Sequence, residues 1–261
     1  MGVLNVTPDS FSDGGRFLDQ DAAVAHGLRM WSEGADLIDV GGESTRPGAA
    51  DVDSAEEAAR VVPVIAALAG SGVLVSVDTS KSAVAAAGVE AGAAVINDVT
   101  AFSDPAMAAV AAGTGCGVVL MHMQGSPRTM QADPRYGDVV AEVRDHLLRR
   151  AGVAIAAGVA AERICLDPGI GFGKNLRHNL DLLATGVAAL AATGHPVLVG
   201  ASRKSFLERI LGPIPPDERD TATAAAHVLA IAGGAAAIRV HSVVEGLRSA
   251  RVADAIVRGT P

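Results

Sequence analysis

The chain has 261 residues, which is long enough for one large α/β domain or two small ones. Hydrophobic residues make up 49% of it but aromatic residues only 3%, so the core has to be built from aliphatic side chains, as in a parallel sheet covered by helices. The formal net charge is −8 and no Lys/Arg tract occurs, which argues against a nucleic-acid partner.

The sequence also lacks the usual marks of membrane insertion, export and disulfide bonding. No uninterrupted, strongly apolar stretch reaches membrane-spanning length. The N-terminus has no basic and apolar leader, so we expect no export signal. Cys116 and Cys165 are far apart and form no CxxC pair, which argues against a disulfide framework and a zinc site. We therefore expect a cytoplasmic protein without a membrane partner.

Short apolar runs alternate with Ala-rich helical stretches along the chain. Four of the helical stretches end in a glycine suited to the left-handed position after a helix: Gly34, Gly92, Gly194 and Gly234. The apolar runs predict eight buried strands, at 2–6, 37–40, 74–77, 95–97, 118–121, 164–166, 197–200 and 238–240.

Other segments carry helix and loop signals. Ser54-x-x-Glu57 resembles a capping box at the start of a helix, and 139–150 is amphipathic. The stretches 123–137 and 211–220 are predicted to be long loops, because they combine turn residues with charges and prolines.

Strict alternation of strand and helix implies parallel pairing. Eight units in a chain of this length predict a single (β/α)8 TIM-barrel domain over residues 1–261. A doubly wound open sheet is the alternative, but it needs an edge strand and a different role for the first or last unit.

In a barrel the chemistry lies at the C-terminal ends of the strands, and almost every predicted strand here ends in polar residues. Single cases have simpler explanations, since Asp78 or Asp167 could merely cap the next helix and His122 could be a satisfied core histidine. So many polar strand ends on one rim are better explained by a site. They are Asn5, Glu43 to Arg46, Asp78, Asn97, Asp98, His122, Asp167, Ser202 to Lys204, Arg239 and His241.

These residue types suit two anions and a flat heterocycle. Asp78, Asn97 and Asp167 can bind the ring N–H, amino and carbonyl groups of such a heterocycle. The helix predicted after Ser202 to Lys204 offers backbone N–H groups to an anion. A cationic rim suited to phosphate comes from Arg46, Lys204, Arg239 and His241. The set predicts a two-substrate transferase with a phosphate leaving group.

The polar segment 7–15 after the first strand, with Gly14-Gly15, is predicted to be a loop over this site. Asn5 together with Asp9 or Asp13 offers the oxygen ligands that Mg²⁺ prefers, usually completed by phosphate and water. The cofactor predicted from these residues is therefore Mg²⁺.

An ordered set of motifs along the whole chain resembles the dihydropteroate synthase family. The motifs are NVTPDSFSDGG from Asn5, DVGGESTRPGA from Asp39, SVDTSK from Ser76, INDV from Ile96, LMH from Leu120, LDPGIGFGK from Leu166, SRKSF from Ser202 and IRVHS from Ile238. The resemblance implies a TIM barrel and a homodimer. It also implies an enzyme of folate biosynthesis that joins 6-hydroxymethyl-7,8-dihydropterin diphosphate to p-aminobenzoate, releasing pyrophosphate.

The resemblance also implies residue roles. The pterin would contact Asp78, Asn97, Met121, Asp167, Phe172 and Lys204. The diphosphate would contact Asn5, Thr45, Arg46, Arg239 and His241, with Mg²⁺ at Asn5. The p-aminobenzoate would contact Phe11, Arg46, Pro47, Phe172 and Ser205, and sulfonamides would compete for that place. Catalysis would involve Asp13, Asp78, Lys204, Arg239 and His241.

Two other functions use a similar pterin pocket. A pterin-binding methyltransferase domain would take a folate methyl donor and a cobalamin partner, and it has no need of the SRK and TPDSFSDGG motifs. A binding or regulatory paralogue would keep the pocket without turnover. The presence of both motifs argues against the methyltransferase, and the full set of Asn5, Arg46, Lys204 and Arg239 argues against the binding paralogue. Ser242 departs from the Asp that many relatives carry after the histidine, which could loosen the support of His241.

Overall fold

A computed structural model describes residues 1–7, 16–44 and 51–259, with the backbone alone over 16–19. The strands of this part of the chain are β1 (Gly2–Asn5), β2 (Ile38–Gly41), β3 (Val75–Asp78), β4 (Val95–Asp98), β5 (Gly117–Met121), β6 (Ile164–Asp167), β7 (Leu198–Val199) and β8 (Ala237–Ile238). All the predicted strands are present. The last two are shorter than predicted, and Pro196, which has no N–H to donate, precedes β7.

Helices follow every strand. They are α1 (Arg16–Ser32), α2 (Ser54–Gly70), α3 (Ser82–Glu90), α4 (Met107–Thr114), α5 (Val139–Ala156), α6 (Leu176–Asp181), α7 (Val187–Ala191), α8 (Ser205–Leu211), α9 (Asp220–Ala232) and α10 (Val243–Arg258). A π-helical turn (Leu182–Gly186) joins α6 to α7. Among the described residues, no helix is both long and apolar enough to cross a membrane.

The strands form a closed parallel barrel. Strands β1 to β6 pair in chain order, and β7 pairs with β8. The ring is completed by two single parallel bridges, Leu166 to Val197 and Gly2 to Val240. Hydrogen bonds support both joints, from Leu166 N–H to Pro196 O at 2.9 Å and from Val3 N–H to Val240 O at 3.0 Å. The TIM-barrel prediction is therefore confirmed, and the open sheet is excluded.

The core is aliphatic, as the composition predicts. Fully buried side chains such as Leu4, Ile38 and Leu166 belong to one continuous cluster inside the ring and between strands and helices. Burial of this apolar surface is the main favourable contribution to folding.

The helix ends follow local chemistry, with one correction. Gly34, Gly92, Gly194 and Gly234 all have positive φ, as predicted. The predicted capping box is wrong, because α2 is capped by Asp53, whose Oδ1 accepts the N–H groups of Ala55 and Glu56 at 2.9 Å. Glu57 is instead fully buried and bonds to Lys81.

Both predicted loops are long connections with little regular structure. The segment 123–137 joins β5 to α5 without a helix or strand. The segment 211–220 contains a single 3₁₀ turn (Pro216–Arg219) between α8 and α9.

Candidate active site

The C-terminal ends of β1 to β4 bring the predicted residues into one row. The strand register places Asn5 beside Gly41, Gly41 beside Asp78, and Asp78 beside Asn97. Side chains two residues apart on a strand share a face, so Asp39 lies one layer deeper on the same face as Gly41. Gly41 has no side chain, which leaves space between its neighbours in this row.

Arg239, which follows β8, pairs with two carboxylates across the barrel. Its Nε donates to Asp39 Oδ2 at 2.6 Å, and its Nη2 donates to Asp78 Oδ2 at 2.7 Å. Asn97 Nδ2 donates to the same Asp39 oxygen at 3.0 Å. The side chains of Asp78, Asn97 and Arg239, all predicted site residues, are thus brought together around Asp39.

These contacts and burial set the protonation of the group. Burial, and then the negative charge of Asp39, raise the pKa of Asp78 to about 7 against the opposing effect of Arg239. Burial acts to lower the pKa of Arg239, but the carboxylates of Asp39 and Asp78 outweigh it and raise that pKa above its usual range. Arg239 is therefore a fixed cation, whereas Asp78 titrates near neutral pH.

A second group lies at the ends of β5 and β6. Asp167 Oδ1 accepts the Gly169 N–H at 2.7 Å, and burial raises the pKa of Asp167 to about 6 despite this bond. Lys204 Nζ lies 4.0 Å from the centroid of the Phe172 ring, a cation–π contact. Burial lowers the pKa of Lys204 to about 8. Met121 and Phe172 belong to one small apolar cluster, separate from the main core.

His241 differs from its prediction as a cationic residue. Ser202 Oγ lies 2.9 Å from His241 Nδ1 and accepts the backbone N–H of His241 at 3.2 Å. Burial, and then the positive charges of Arg239, Arg203 and Lys204, lower the pKa of His241 to about 4. The imidazole is therefore neutral at pH 7 and can bind an anion only as a hydrogen-bond donor.

Arg203 was among the polar strand-end residues but is occupied elsewhere. Its Nε and Nη2 donate to the two carboxylate oxygens of Asp220 at 2.8 and 2.7 Å, and its backbone N–H donates to Thr223. Ser205 is exposed at the start of α8. Its predicted contact with p-aminobenzoate stays a prediction.

Part of the predicted site cannot be placed. Phe11, Asp13, Thr45, Arg46 and Pro47 lie outside the described residues, as does Asp9. Asn5 is half-buried at the end of β1. Within residues 1–7, 16–44 and 51–259, no group of three or more His, Cys, Asp or Glu side chains is arranged to hold a metal ion. The Mg²⁺ site at Asn5 stays a prediction.

Comparison with known proteins decides the family. Residues 1–241 match the model of a family described as pterin binding enzyme. The chain is 49% identical to the dihydropteroate synthase of Mycobacterium leprae, over 100% of the chain and 94% of that protein. It is 49% identical to the Escherichia coli dihydropteroate synthase, over 98% of the chain and 90% of that protein. The chain belongs to the dihydropteroate synthase family.

Solved structures of dihydropteroate synthases share the fold. A Yersinia pestis dihydropteroate synthase in a sulfonamide drug complex has a TM-score of 0.93 and 48% identity, covering 100% of this chain and 94% of that one. A Xanthomonas albilineans dihydropteroate synthase with 4-aminobenzoic acid has a TM-score of 0.92 and 46% identity, covering 100% and 93%. These findings confirm the predicted family and its enzyme class, a transferase of a pterin group to p-aminobenzoate.

Sequence reasoning missed Asp39 and Lys174 as residues of this dihydropteroate synthase site. Asp39 is fully buried and holds both Arg239 and Asn97. Its signal was a charged residue inside an apolar run, two positions before the strand end and hence on the same face. Lys174 closes the LDPGIGFGK motif and is only 2% exposed. A lysine beside glycines in a loop is typical of the surface, so its burial had no sequence signal.

Proposed function

We propose that the chain condenses 6-hydroxymethyl-7,8-dihydropterin diphosphate with p-aminobenzoate to give 7,8-dihydropteroate and pyrophosphate. The bond between the pterin methylene carbon and the diphosphate oxygen breaks, the arylamine nitrogen bonds to that carbon, and the nitrogen loses a proton. One observation carries the proposal: Arg239, a fixed cation, lies within 2.7 Å of Asp78 in a row with Asn97. A group for the heterocycle thus adjoins a group for its leaving group.

Hydrogen bonds from the pterin suit the acidic residues of the pocket. Asp167, with a pKa near 6, is mostly ionised at pH 7 and can accept from ring N–H and amino groups. Asn97 supplies an amide, and Lys204 supplies a donor for a ring carbonyl or nitrogen. Met121 and Phe172 would flank the ring, since they already pack in one cluster. A Xanthomonas albilineans dihydropteroate synthase of 44% identity has been solved with 7,8-dihydropteroate, which supports this class of ligand.

Negative charge grows on the diphosphate as its bond to the methylene carbon breaks. Preorganised positive charge and hydrogen-bond donors beside the diphosphate stabilise this charge. Arg239 supplies the positive charge. If Ser202 O–H donates to His241 Nδ1, the proton of the neutral ring is on Nε2, which can donate to a phosphate oxygen. Thr45 and Arg46 are proposed to complete the set from residues outside the described part.

Asn5 is proposed to contact Mg²⁺. An amide oxygen at a strand end fits a cation that takes one or two protein oxygens and completes its shell with phosphate and water. When bound, the ion would neutralise diphosphate charge as the C–O bond breaks.

The second substrate would lie beside Phe172 and Ser205, with Phe11, Arg46 and Pro47. An attacked aniline nitrogen becomes acidic, so its proton can leave without a strong base. Asp13 and Asp78 are proposed to lie near the developing positive charge on the methylene carbon.

Because sulfonamides imitate p-aminobenzoate, we expect them to inhibit the enzyme competitively. Full activity at drug concentrations far above the p-aminobenzoate KM would exclude it.

A homodimer is proposed through the outer face of α9 and α10. Leu229 on α9 and Val252 and Ile256 on α10 are 63%, 59% and 78% exposed. Large exposed apolar side chains on adjacent helices are typical of a subunit interface. Light scattering should give twice the chain mass, and Ile256→Asp should give the monomer. A monomeric wild type would remove this proposal.

A cytoplasmic location also stays a prediction, based on two separated free thiols, Cys116 and Cys165.

The decisive experiment is a coupled assay with the pterin diphosphate, p-aminobenzoate and Mg²⁺, with dihydropteroate and pyrophosphate both quantified. Equal amounts of the two products support the proposal. A protein that binds the pterin diphosphate but forms no dihydropteroate would be a binding paralogue. Methyl transfer from a folate donor to a cobalamin protein would identify the methyltransferase alternative.

A further inference from the structure

Lys174 is a buried cation without a carboxylate partner. It is only 2% exposed, and the partners of its Nζ in the described part of the chain are an imidazole nitrogen and two backbone carbonyls, with no carboxylate among them. Its Nζ lies 2.9 Å from Phe172 O, 3.2 Å from His122 O and 2.9 Å from His122 Nδ1. Burying an unpaired charge is costly, so a position that only filled space would be better served by an apolar side chain.

The three contacts join two strand-end loops. His122 follows β5, and Phe172 lies in the loop after β6. This loop passes so close to its neighbour that a Cβ on Gly169, whose φ is +67°, would lie 2.0 Å from His122 O. Lys174 thereby fixes the carbonyl of Phe172, whose ring carries the Lys204 ammonium group on its face.

The charge of Lys174 also acts on the pterin pocket. Burial lowers the pKa of Lys174 to about 7, whereas Asp167 acts to raise it. In turn the Gly169 N–H, then Lys204 and Arg239, and after them Lys174, lower the pKa of Asp167 against the effect of burial. The ionised Asp167 needed to accept pterin N–H groups therefore depends in part on the Lys174 charge.

The histidine and tyrosine side chains around Lys174 do not supply a positive charge in its place. Burial and then Lys174 lower the pKa of His122 to about 2, so that ring stays neutral. The pKa values of His146 and His178 are also lowered, first by burial. Burial raises that of Tyr136, which leaves its phenol neutral. The titratable groups that interact with the Lys174 charge are His122, His146, Asp167, His178 and Lys204, and the ring of Tyr136 lies against that of His122.

Nearby, the neutral hydroxyl of Tyr136 holds a backbone carbonyl of the same loop without any charge. Tyr136 O–H donates to Gly173 O at 2.8 Å, in the same loop. A backbone carbonyl here can thus be held without a charge. Comparison of the two residues separates the effect of holding the loop from the effect of the charge.

We propose that Lys174 is a positioning residue of the pterin pocket: its ammonium group joins the end of β5, where Met121 pairs in register with Asp167, to the loop after β6 that carries Phe172. This inference rests on the proposed function, since it assumes that Asp167 binds the pterin. Lys174→Met removes both the hydrogen bonds and the charge. Lys174→Gln keeps an N–H donor group but removes the charge.

The test is equilibrium binding of the pterin diphosphate between pH 5 and 8, with product formation measured alongside. Affinity for the pterin is expected to fall as the pH drops through the pKa of Asp167. In Lys174→Met the fall in affinity at low pH, the acid limb of the profile, should begin at a higher pH, because one of the cations acting on Asp167 is lost. Affinity at pH 7 should fall about tenfold, because the hydrogen bonds that join the two loops are lost. Lys174→Gln should show the same shift of the limb with a smaller loss of affinity at high pH.

Tyr136→Phe is the matched control, because it removes one hydrogen bond from the same loop and no charge. Its acid limb should stay in place. Folded neutral variants of Lys174 with the wild-type acid limb would overturn the proposal. If neither variant folds, Lys174 is a folding residue and the proposal is equally overturned. A wild type that fails to bind the pterin diphosphate refutes the proposed function instead, and that result is obtained before any variant is made.

Discussion

Replacing Asp39 with asparagine tests how the barrel holds Arg239. Asp39 is fully buried, and one of its oxygens accepts from both Arg239 Nε at 2.6 Å and Asn97 Nδ2 at 3.0 Å. The amide of asparagine keeps the shape and one acceptor oxygen, so the bond to Asn97 can remain. The negative charge is lost, and of the two ion pairs that Arg239 forms with described residues, the one with Asp78 remains.

The expected size of the effect follows from the lost contact. A hydrogen bond to a charged group contributes about 1.5–3 kcal/mol, and about 1.4 kcal/mol is a tenfold change. Asp39→Asn should therefore lower kcat by about 10- to 100-fold. The affinity for the pterin should change less, because Arg239 is proposed to act on the departing diphosphate.

The same variant should shift the pH profile. The negative charge of Asp39 is one cause of the raised pKa of Asp78, second to burial. Removing that charge makes ionisation of Asp78 easier, so the pKa of Asp78 should fall from about 7. Any activity that requires ionised Asp78 should then persist to lower pH in the variant.

The assay is steady-state dihydropteroate formation between pH 5.5 and 8.5, after thermal melting has established that the variant folds. Ser76→Ala is the matched control: Ser76 is fully buried, pairs in register with Asp39, and its hydroxyl has no partner in the described structure. It should keep the wild-type kcat. A wild-type kcat in Asp39→Asn, or an equal loss in Ser76→Ala, would refute the role assigned to Asp39.

Three further predictions concern Arg239, His241 and Lys81. Arg239→Ala should lower kcat by about 100-fold or more while the pterin dissociation constant changes only a few-fold, since the charge is needed most as the leaving group departs; an unchanged turnover rate removes Arg239 from that role. NMR of the His241 ring should give a pKa near 4 without ligand, because burial disfavours the charged form, and a higher value with pyrophosphate bound; an unshifted value without ligand contradicts the assignment. Lys81 bonds to the buried Glu57, so Lys81→Met should lower the free energy of unfolding by about 3 kcal/mol in urea titrations, and adding Glu57→Gln should recover part of it. Equal stability of the single variant and the wild type would show that the pair is not needed.

Much of the fold was predictable from local pattern. Each strand is an apolar run, and four of the runs follow a glycine that ends the preceding helix with positive φ. Such signals depend on residues close together in the chain, and they predicted all the strands. Local competition caused the error at α2, because Asp53 and Ser54 are both good capping residues and the aspartate caps the helix.

The polar residues at the strand ends were also predictable, because a parallel barrel brings all these ends to one rim. The pairing among them was not. Arg239 and Asp39 are 200 positions apart and meet only because the ring closes through β8 and β1. A sequence pattern shows which residues reach the rim, but distances across the barrel depend on closure.

The sequence by itself thus determined the strand and helix order, the aliphatic core and the set of chemical groups at the rim. Only the tertiary structure decided which of these groups carry charge. His241, predicted as a cation, is neutral, and Lys174, in the loop after β6, is a buried amine with a pKa near 7. The physical reason is that ionisation depends on loss of water and on nearby charges, and both arise only when distant segments pack together.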